Sequence, residues 1–148
     1  MRVLLVDDEP IMRKFVADLL RQIGIHQIHE ASEGKGALVE AIKFQPDLVL
    51  SDIHMEPMDG IEFVKRLRAL PNPYFAHVPV ILMTADTTKE TLTEALPLGI
   101  KGYMIKPPRV TIDVAFLEPK NTGAAMKESI GTFRTIIQGP GSSSAVAA

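Results

Sequence analysis

The 148-residue chain carries sixteen basic and eighteen acidic residues, a net charge of −2, and no cysteine. That balance leaves no basic footprint for nucleic acid, and the missing thiols exclude disulfides and thiolate metal sites while suiting a reducing, cytoplasmic setting. No apolar run approaches the roughly 20 residues of a membrane span, so no membrane insertion is expected, and the length suits one domain with a small appendage.

Residues 2–6 form a short apolar run that predicts a buried strand; Asp7-Asp8-Glu9 cuts it far short of a secretory signal. Residues 10–23 predict a helix. Ile11, Phe15, Leu19 and Ile23 recur near helical spacing, Pro10 suits a first turn and Gly24 a stop. Residues 25–31 predict a weaker strand, diluted by His26, Gln27 and His29. A helix follows over 35–44 through Leu38, Ala41 and Ile42, ended by Pro46, and then a strand over 47–51. Residues 60–70 predict a helix with Ile61, Val64 and Leu67 on one face, and Pro71-Asn72-Pro73 a loop. A fourth strand is expected at 79–84, a helix from about 88 to 96 cut by Pro97, and a fifth strand at 101–105, before Lys106-Pro107-Pro108.

Beyond the core, residues 1–107, the period is ambiguous. Val110, Ile112, Val114 and Phe116 alternate like a strand, while Val110, Val114 and Leu117 fit a short helix face. Residues 124–137 predict a helix striped by Met126, Ile130, Phe133 and Ile137, so 108–137 reads as an atypical C-terminal segment. Residues 138–148, with Gly139-Pro140-Gly141 and three serines, predict a flexible tail.

Five strands alternating with about four helices predict a doubly wound α/β fold, a five-stranded parallel sheet covered on both faces. Ligands of such sheets bind outside the carboxyl ends of the strands. At those ends stand Asp7 and Asp8, Asp52, Thr84 and Lys106. Singly, Asp7 or Asp8 could cap the helix near Pro10, Asp52 could cap a turn, and Lys106 could be solvated. Jointly, carboxylates, a hydroxyl and an ammonium suit a phosphoryl group accepted by a carboxylate beside a divalent cation. Mg²⁺ takes carboxylate and phosphate oxygens, and the acids need a cation to relieve their mutual repulsion. His26 and His29 offer no zinc pair, since no third ligand is evident.

Val6-Asp7-Asp8-Glu9-Pro10, Asp52 through Met58-Asp59-Gly60, Thr84-Ala85, and Gly102-Tyr103 with Lys106-Pro107 resemble the receiver domain of bacterial two-component response regulators, over about residues 1–107. The resemblance implies a flavodoxin-like strand order 2-1-3-4-5 and phosphorylation of Asp52 by a histidine kinase or histidine phosphotransfer protein. It further implies Mg²⁺ held by Asp8, Asp52 and the backbone carbonyl of His54, with Asp7 acting through water. Thr84 and Tyr103 would couple the phosphate to a surface that contacts an unknown protein target. Such a protein is a self-catalysing phosphoacceptor switch rather than an enzyme acting on an external substrate.

Three departures qualify that likeness, one of them Pro97 within the expected fourth helix. Met55 is followed by Glu56, with proline delayed to Pro57. Glu56 is expected to point to solvent or to alter access to the site. His54 and Asp86 stand where the family tunes loss of phosphate. The segment after Lys106 departs from the family's last helix, making it a candidate for exchange between chains in a homodimer. Two other readings compete: a receiver-like adaptor that works without phosphorylation, and an aspartate-nucleophile phosphatase of the haloacid dehalogenase type. The second is disfavoured because Asp7 and Asp8 are adjacent rather than separated by one residue.

Overall fold

A computed structural model describes residues 1–85 and 93–106. Its elements in chain order are β1 (Arg2–Val6), α1 (Pro10–Gln22), β2 (Gln27–Ala31), α2 (Gly34–Phe44) and β3 (Leu48–Asp52). They continue with α3 (Gly60–Arg68), a single-turn α4 (Tyr74–His77), β4 (Val80–Thr84), a 3₁₀ turn (Leu96–Leu98) and β5 (Gly102–Ile105). The strands pair in parallel in the order β2-β1-β3-β4-β5. This is the doubly wound order expected from the sequence. Reversal of strand order on either side of β1 opens a crevice at the carboxyl edge.

The three central strands are apolar runs because both of their faces are covered. Val3, Leu5, Leu48, Leu50, Ile81 and Met83 pack on one face with Val16, Ala17 and Leu20 of α1. Leu4, Val6, Val49 and Leu82 pack on the other with Ala37 and Ala41 of α2 and Phe63, Val64 and Leu67 of α3. Alternate residues of one strand thus feed two cores, each fully buried Leu or Val contributing about 1.5–3 kcal/mol.

The helices begin and end for local reasons. Pro10 occupies the first turn of α1, where its missing N–H costs nothing. Glu33 caps α2 by accepting from Lys35 N at 3.0 Å and Gly36 N at 2.5 Å. Gln45 then closes α2 in the left-handed region at φ 48°, and Pro46 prevents its continuation. Asp59 caps α3 by accepting from Glu62 N at 2.8 Å. Arg68 ends it with a fan of bonds to backbone carbonyls: Leu98 at 2.9 Å, Phe75 at 3.0 Å, Val78 at 2.7 Å and Gly99 at 3.3 Å. One guanidinium thereby ties α3 to the chain entering both β4 and β5.

Several expectations need correction. The stripe Ile11, Phe15, Leu19, Ile23 is not the packed face of α1: Ile11 is 86% exposed and Phe15 44%, while Val16, Ala17 and Leu20 are buried. Met12, Val16 and Leu20 form a second column at the same spacing, one residue further round, and the sheet takes that one. The third helix stops at Arg68, and α4 follows directly on the Pro71-Asn72-Pro73 loop where no element was expected, its Tyr74 N–H bonded to Asn72 Oδ1 at 3.0 Å. Pro97 stands inside the 3₁₀ turn, which Gly99 closes at φ 70°. The start of the predicted 88–96 helix, Asp86, and everything after Lys106 lie outside the described residues. So do the 108–137 segment, its 124–137 helix, the 138–148 tail and the proposed exchange. Among the described residues no helix is long and apolar enough to cross a membrane.

Candidate functional site

The sheet register assembles the site. Val6 lies opposite Ser51, Asp52 opposite Met83, and Thr84 opposite Ile105. Backbone bonds extend the ladder past the strand ends: Ile53 N to Met83 O at 3.0 Å and Lys106 N to Thr84 O at 3.0 Å. The exits of β1, β3, β4 and β5 therefore stop on one rim. Asp7 and Thr84 are fully buried there, and Asp52 is 3% exposed.

Side chains from three strand ends meet at Lys106. Its Nζ lies 3.1 Å from Asp7 Oδ2, 3.3 Å from Asp52 Oδ2 and 3.3 Å from Glu9 Oε1. The ammonium side chain is itself only 7% exposed. Asp7, Asp8, Glu9 and Asp52 each bring a carboxylate oxygen to within 4.8 Å of the others. A cleft of about 320 Å³, lined by Glu9, Met12, Asp52, His54, Ala85 and Lys106, opens this cluster to solvent.

Neither acid of the first pair serves as the cap of α1. The N-cap is Glu9, which makes no side-chain capping bond, while Asp7 Oδ1 accepts from Glu9 N at 2.9 Å outside the helix. Asp7 Oδ2 is buried with an ion-pair neighbour but no hydrogen bond of good geometry. A buried carboxylate oxygen left in that state is costly. Four clustered acids with such an oxygen fit an oxygen-seeking divalent cation such as Mg²⁺.

Electrostatics follow from the crowding. Burial pushes the Asp52 carboxyl up to about 6; Lys106 pulls it back, and Asp7 and Asp8 push it up further. Burial alone would lower the Lys106 ammonium, but Asp52 and Asp7 outweigh it and hold the group above its usual range. Tyr103, 5% exposed among the core residues on the α2–α3 side, has its hydroxyl raised by burial.

The Asp52 shift has a sign opposite to that of a salt-bridged carboxylate. The folded state binds the proton more tightly than the unfolded chain, at about 6 against 3.8. This group therefore favours folding most at acid pH. That contribution is lost as pH rises through about 4 to 6, leaving a cost on the order of 3 kcal/mol above it. We expect Asp52→Asn to be more stable than wild type at pH 7 in chelator, by up to about 3 kcal/mol. The gain should shrink toward pH 4. Urea denaturation of both proteins across that range checks it, and an Asn variant no more stable at pH 7 would contradict it.

The loop after Asp52 is held by close approaches. Gly60 N donates to Ile53 O at 2.7 Å. A β-carbon on Gly60 would collide with the Asp52 carbonyl oxygen and come within 2.9 Å of Ile53 Cα. Met58 covers Gly34, whose added β-carbon would lie 2.6 Å from the methionine sulfur. Glu56 is exposed, and His54 is exposed on the cleft wall.

A family model described as the response regulator receiver domain matches residues 3–113. The chain belongs to the response regulator receiver family. The receiver is 38% identical over 107 residues to chemotaxis protein CheY-3 of Vibrio cholerae, covering 72% of this chain and 81% of the relative. It is 34% identical to chemotaxis protein CheY of Pseudomonas aeruginosa, covering 72% and 85%. Among solved structures, Vibrio cholerae CheY4 superposes with a TM-score of 0.67 at 33% identity, over 72% of this chain and 86% of that one. A chain of the CheX–CheY–BeF3–Mg²⁺ complex from Borrelia burgdorferi gives 0.66 at 26% identity, over 72% and 78%.

Of the residues singled out from the sequence, the receiver brings Asp7, Asp8, Asp52 and Lys106 together, with Thr84 at the same rim and His54 on the cleft wall. Tyr103 lies in the core and Glu56 on the surface. Sequence reading gave no role to Glu9, although it completes the Asp7-Asp8-Glu9 run. Ala85, quoted with Thr84, was likewise given no role; Met12, which lines the cleft, and Arg13, which touches Asp7 through backbone and so leaves no local signal, were passed over.

Proposed function

We propose that this receiver is a phosphorylatable switch whose phosphoacceptor is Asp52. One observation carries the reading: a buried carboxylate, 3.3 Å from a buried ammonium and inside an acidic cluster, lies on the wall of an open cleft. The donor would be a phosphohistidine of a kinase or phosphotransfer protein. Asp52 attacks phosphorus, the P–N bond breaks, and its electron pair leaves on the imidazole nitrogen, which takes up a proton. Asp7, Asp8, Asp52 and the His54 carbonyl would hold Mg²⁺, whose charge offsets that of the acids and of the phosphoryl oxygens.

The chain's own residues supply the rest. Lys106 exchanges its contact with Asp52 for a phosphoryl oxygen, a charge-assisted bond formed in a largely dry site. Thr84 donates to another such oxygen. Movement of these two exits, with Tyr103 on β5, shifts the balance between two surfaces that a protein target distinguishes. His54, Glu56 and Asp86 would set access of water and hence phosphate lifetime. The protein acts on itself and signals by contact, which suits a cytoplasmic location beside its kinase. The Borrelia burgdorferi relative, assembled with BeF3, Mg²⁺ and a second protein, supports this chemistry by likeness.

The test is incubation with acetyl phosphate. With Mg²⁺ the protein should gain one phosphoryl group that hydroxylamine removes, as an acyl phosphate requires; with chelator it should gain none. Labelling that ignores chelator, or sustained turnover of a phosphomonoester, would contradict the proposal. Comparing partners retained with and without beryllofluoride would then identify the target.

A further inference from the structure

The geometry points to Arg13 as a positioning residue that sets the direction of the acidic pair, with Glu30 as its anchor. The inference rests on the cation-dependent reading above. Arg13 reaches back from α1 with its side chain 20% exposed. Its Nη1 donates to the Asp7 carbonyl oxygen at 2.7 Å, and its Nε to Glu30 Oε1 at 3.1 Å. Glu30 stands on β2 in register with Leu5, and Arg21 Nη2 lies 4.0 Å from its other carboxylate oxygen.

Each polar atom of Asp7 faces a different neighbour. Its N–H donates to Ala31 O at 3.1 Å, Oδ1 accepts from Glu9 N at 2.9 Å, and Oδ2 faces Lys106 at 3.1 Å. The carbonyl depends on Arg13. That carbonyl shares a rigid plane with the amide of Asp8. Asp8 follows the end of β1, so the tilt of this plane decides where its carboxylate projects. A guanidinium can grip a carbonyl and a carboxylate together because its donors form a fixed fork; an ammonium has no such fork.

Charge and positioning predict opposite results. Removing a cation beside an acidic cluster leaves it more negative, so a divalent ion should bind more tightly if Arg13 acts by charge alone. Freeing the peptide plane loosens the ligands and weakens binding, roughly tenfold by the usual effect of partners that orient metal ligands. An ion pair that serves only to join α1 to β2 would leave affinity unchanged.

The experiment is an amide NMR titration of the folded full-length chain with Mg²⁺, comparing wild type, Arg13→Met and Arg13→Lys. The expected dissociation constants rise about tenfold for Arg13→Met and about threefold for Arg13→Lys, which keeps the charge and a single donor nitrogen but not the fork. An unchanged or lower constant in Arg13→Met overturns the inference. Should that variant not fold, an unchanged constant in Arg13→Lys does so. A wild-type chain in which the amides around Asp7, Asp8 and Asp52 ignore Mg²⁺ overturns the cation-dependent reading itself, and this inference with it.

Discussion

Asp52→Ala is expected to lose phosphoryl transfer from acetyl phosphate or a phosphohistidine donor by a factor of about a hundred or more, since it removes the attacking atom rather than an accessory group. The same variant should fold at least as well as wild type. Asp52 is 3% exposed, and burial holds its carboxyl up at about 6, so the ionised side chain is a burden to the metal-free fold at neutral pH. The two effects together discriminate. A residue needed only for structure would lose labelling and stability in parallel; this one should lose the first while keeping the second. Filter-bound label and urea midpoints on one preparation give both readings. Undiminished labelling would remove Asp52 from its role.

Gly60→Ala should carry the largest stability cost of any small substitution near the site. The added carbon meets backbone, the Asp52 carbonyl and Ile53 Cα, so neither a rotamer change nor a flexible neighbour can absorb it. The start of α3 must move away from the exit of β3, weakening the 2.7 Å bond from Gly60 N to Ile53 O. A loss of about 3 kcal/mol or more is expected. Labelling of the remaining folded protein should also fall, because the displaced carbonyl belongs to the acceptor residue. Gly36→Ala is the control. Its added carbon meets only the Glu33 side-chain oxygen at 3.1 Å, so a cost below about 1 kcal/mol is expected, helped by the better helix propensity of alanine. Equal urea midpoints for the two variants would contradict the crowding argument.

How much of this was legible in the sequence depended on the period of each segment. Strands buried on both faces, such as 2–6 and 80–84, are unbroken apolar runs that end abruptly at a polar residue, so their ends and the residues at them could be read directly. The parallel, doubly wound sheet then followed from alternation, and the strand order from resemblance alone. The face of α1 could not be read, because two columns at the same spacing compete, Ile11-Phe15-Leu19 and Met12-Val16-Leu20, and the hydrophobic pattern alone does not choose. Only the docking of α1 on the sheet decides, and it leaves Ile11 in solvent. The turn α4 escaped because Pro71-Asn72-Pro73 reads as a break, while Asn72 in fact starts the next turn through its side chain. Within the site, the residues that act through side chains were found with the exception of Glu9, and those that act on backbone were missed. Arg13 on the Asp7 carbonyl and Arg68 on four carbonyls use a fork that any arginine carries, at separations no motif records.

The proposed function requires that one carboxylate at the exit of the third strand accept phosphate because the acids and the ammonium surround it. Its most direct test is to label the unmodified protein with acetyl phosphate and Mg²⁺, reduce the acyl phosphate with borohydride, and map the altered residue by peptide mass. A single modified position, residue 52, is expected. A label carried by another residue, or one formed equally well without Mg²⁺, would contradict it.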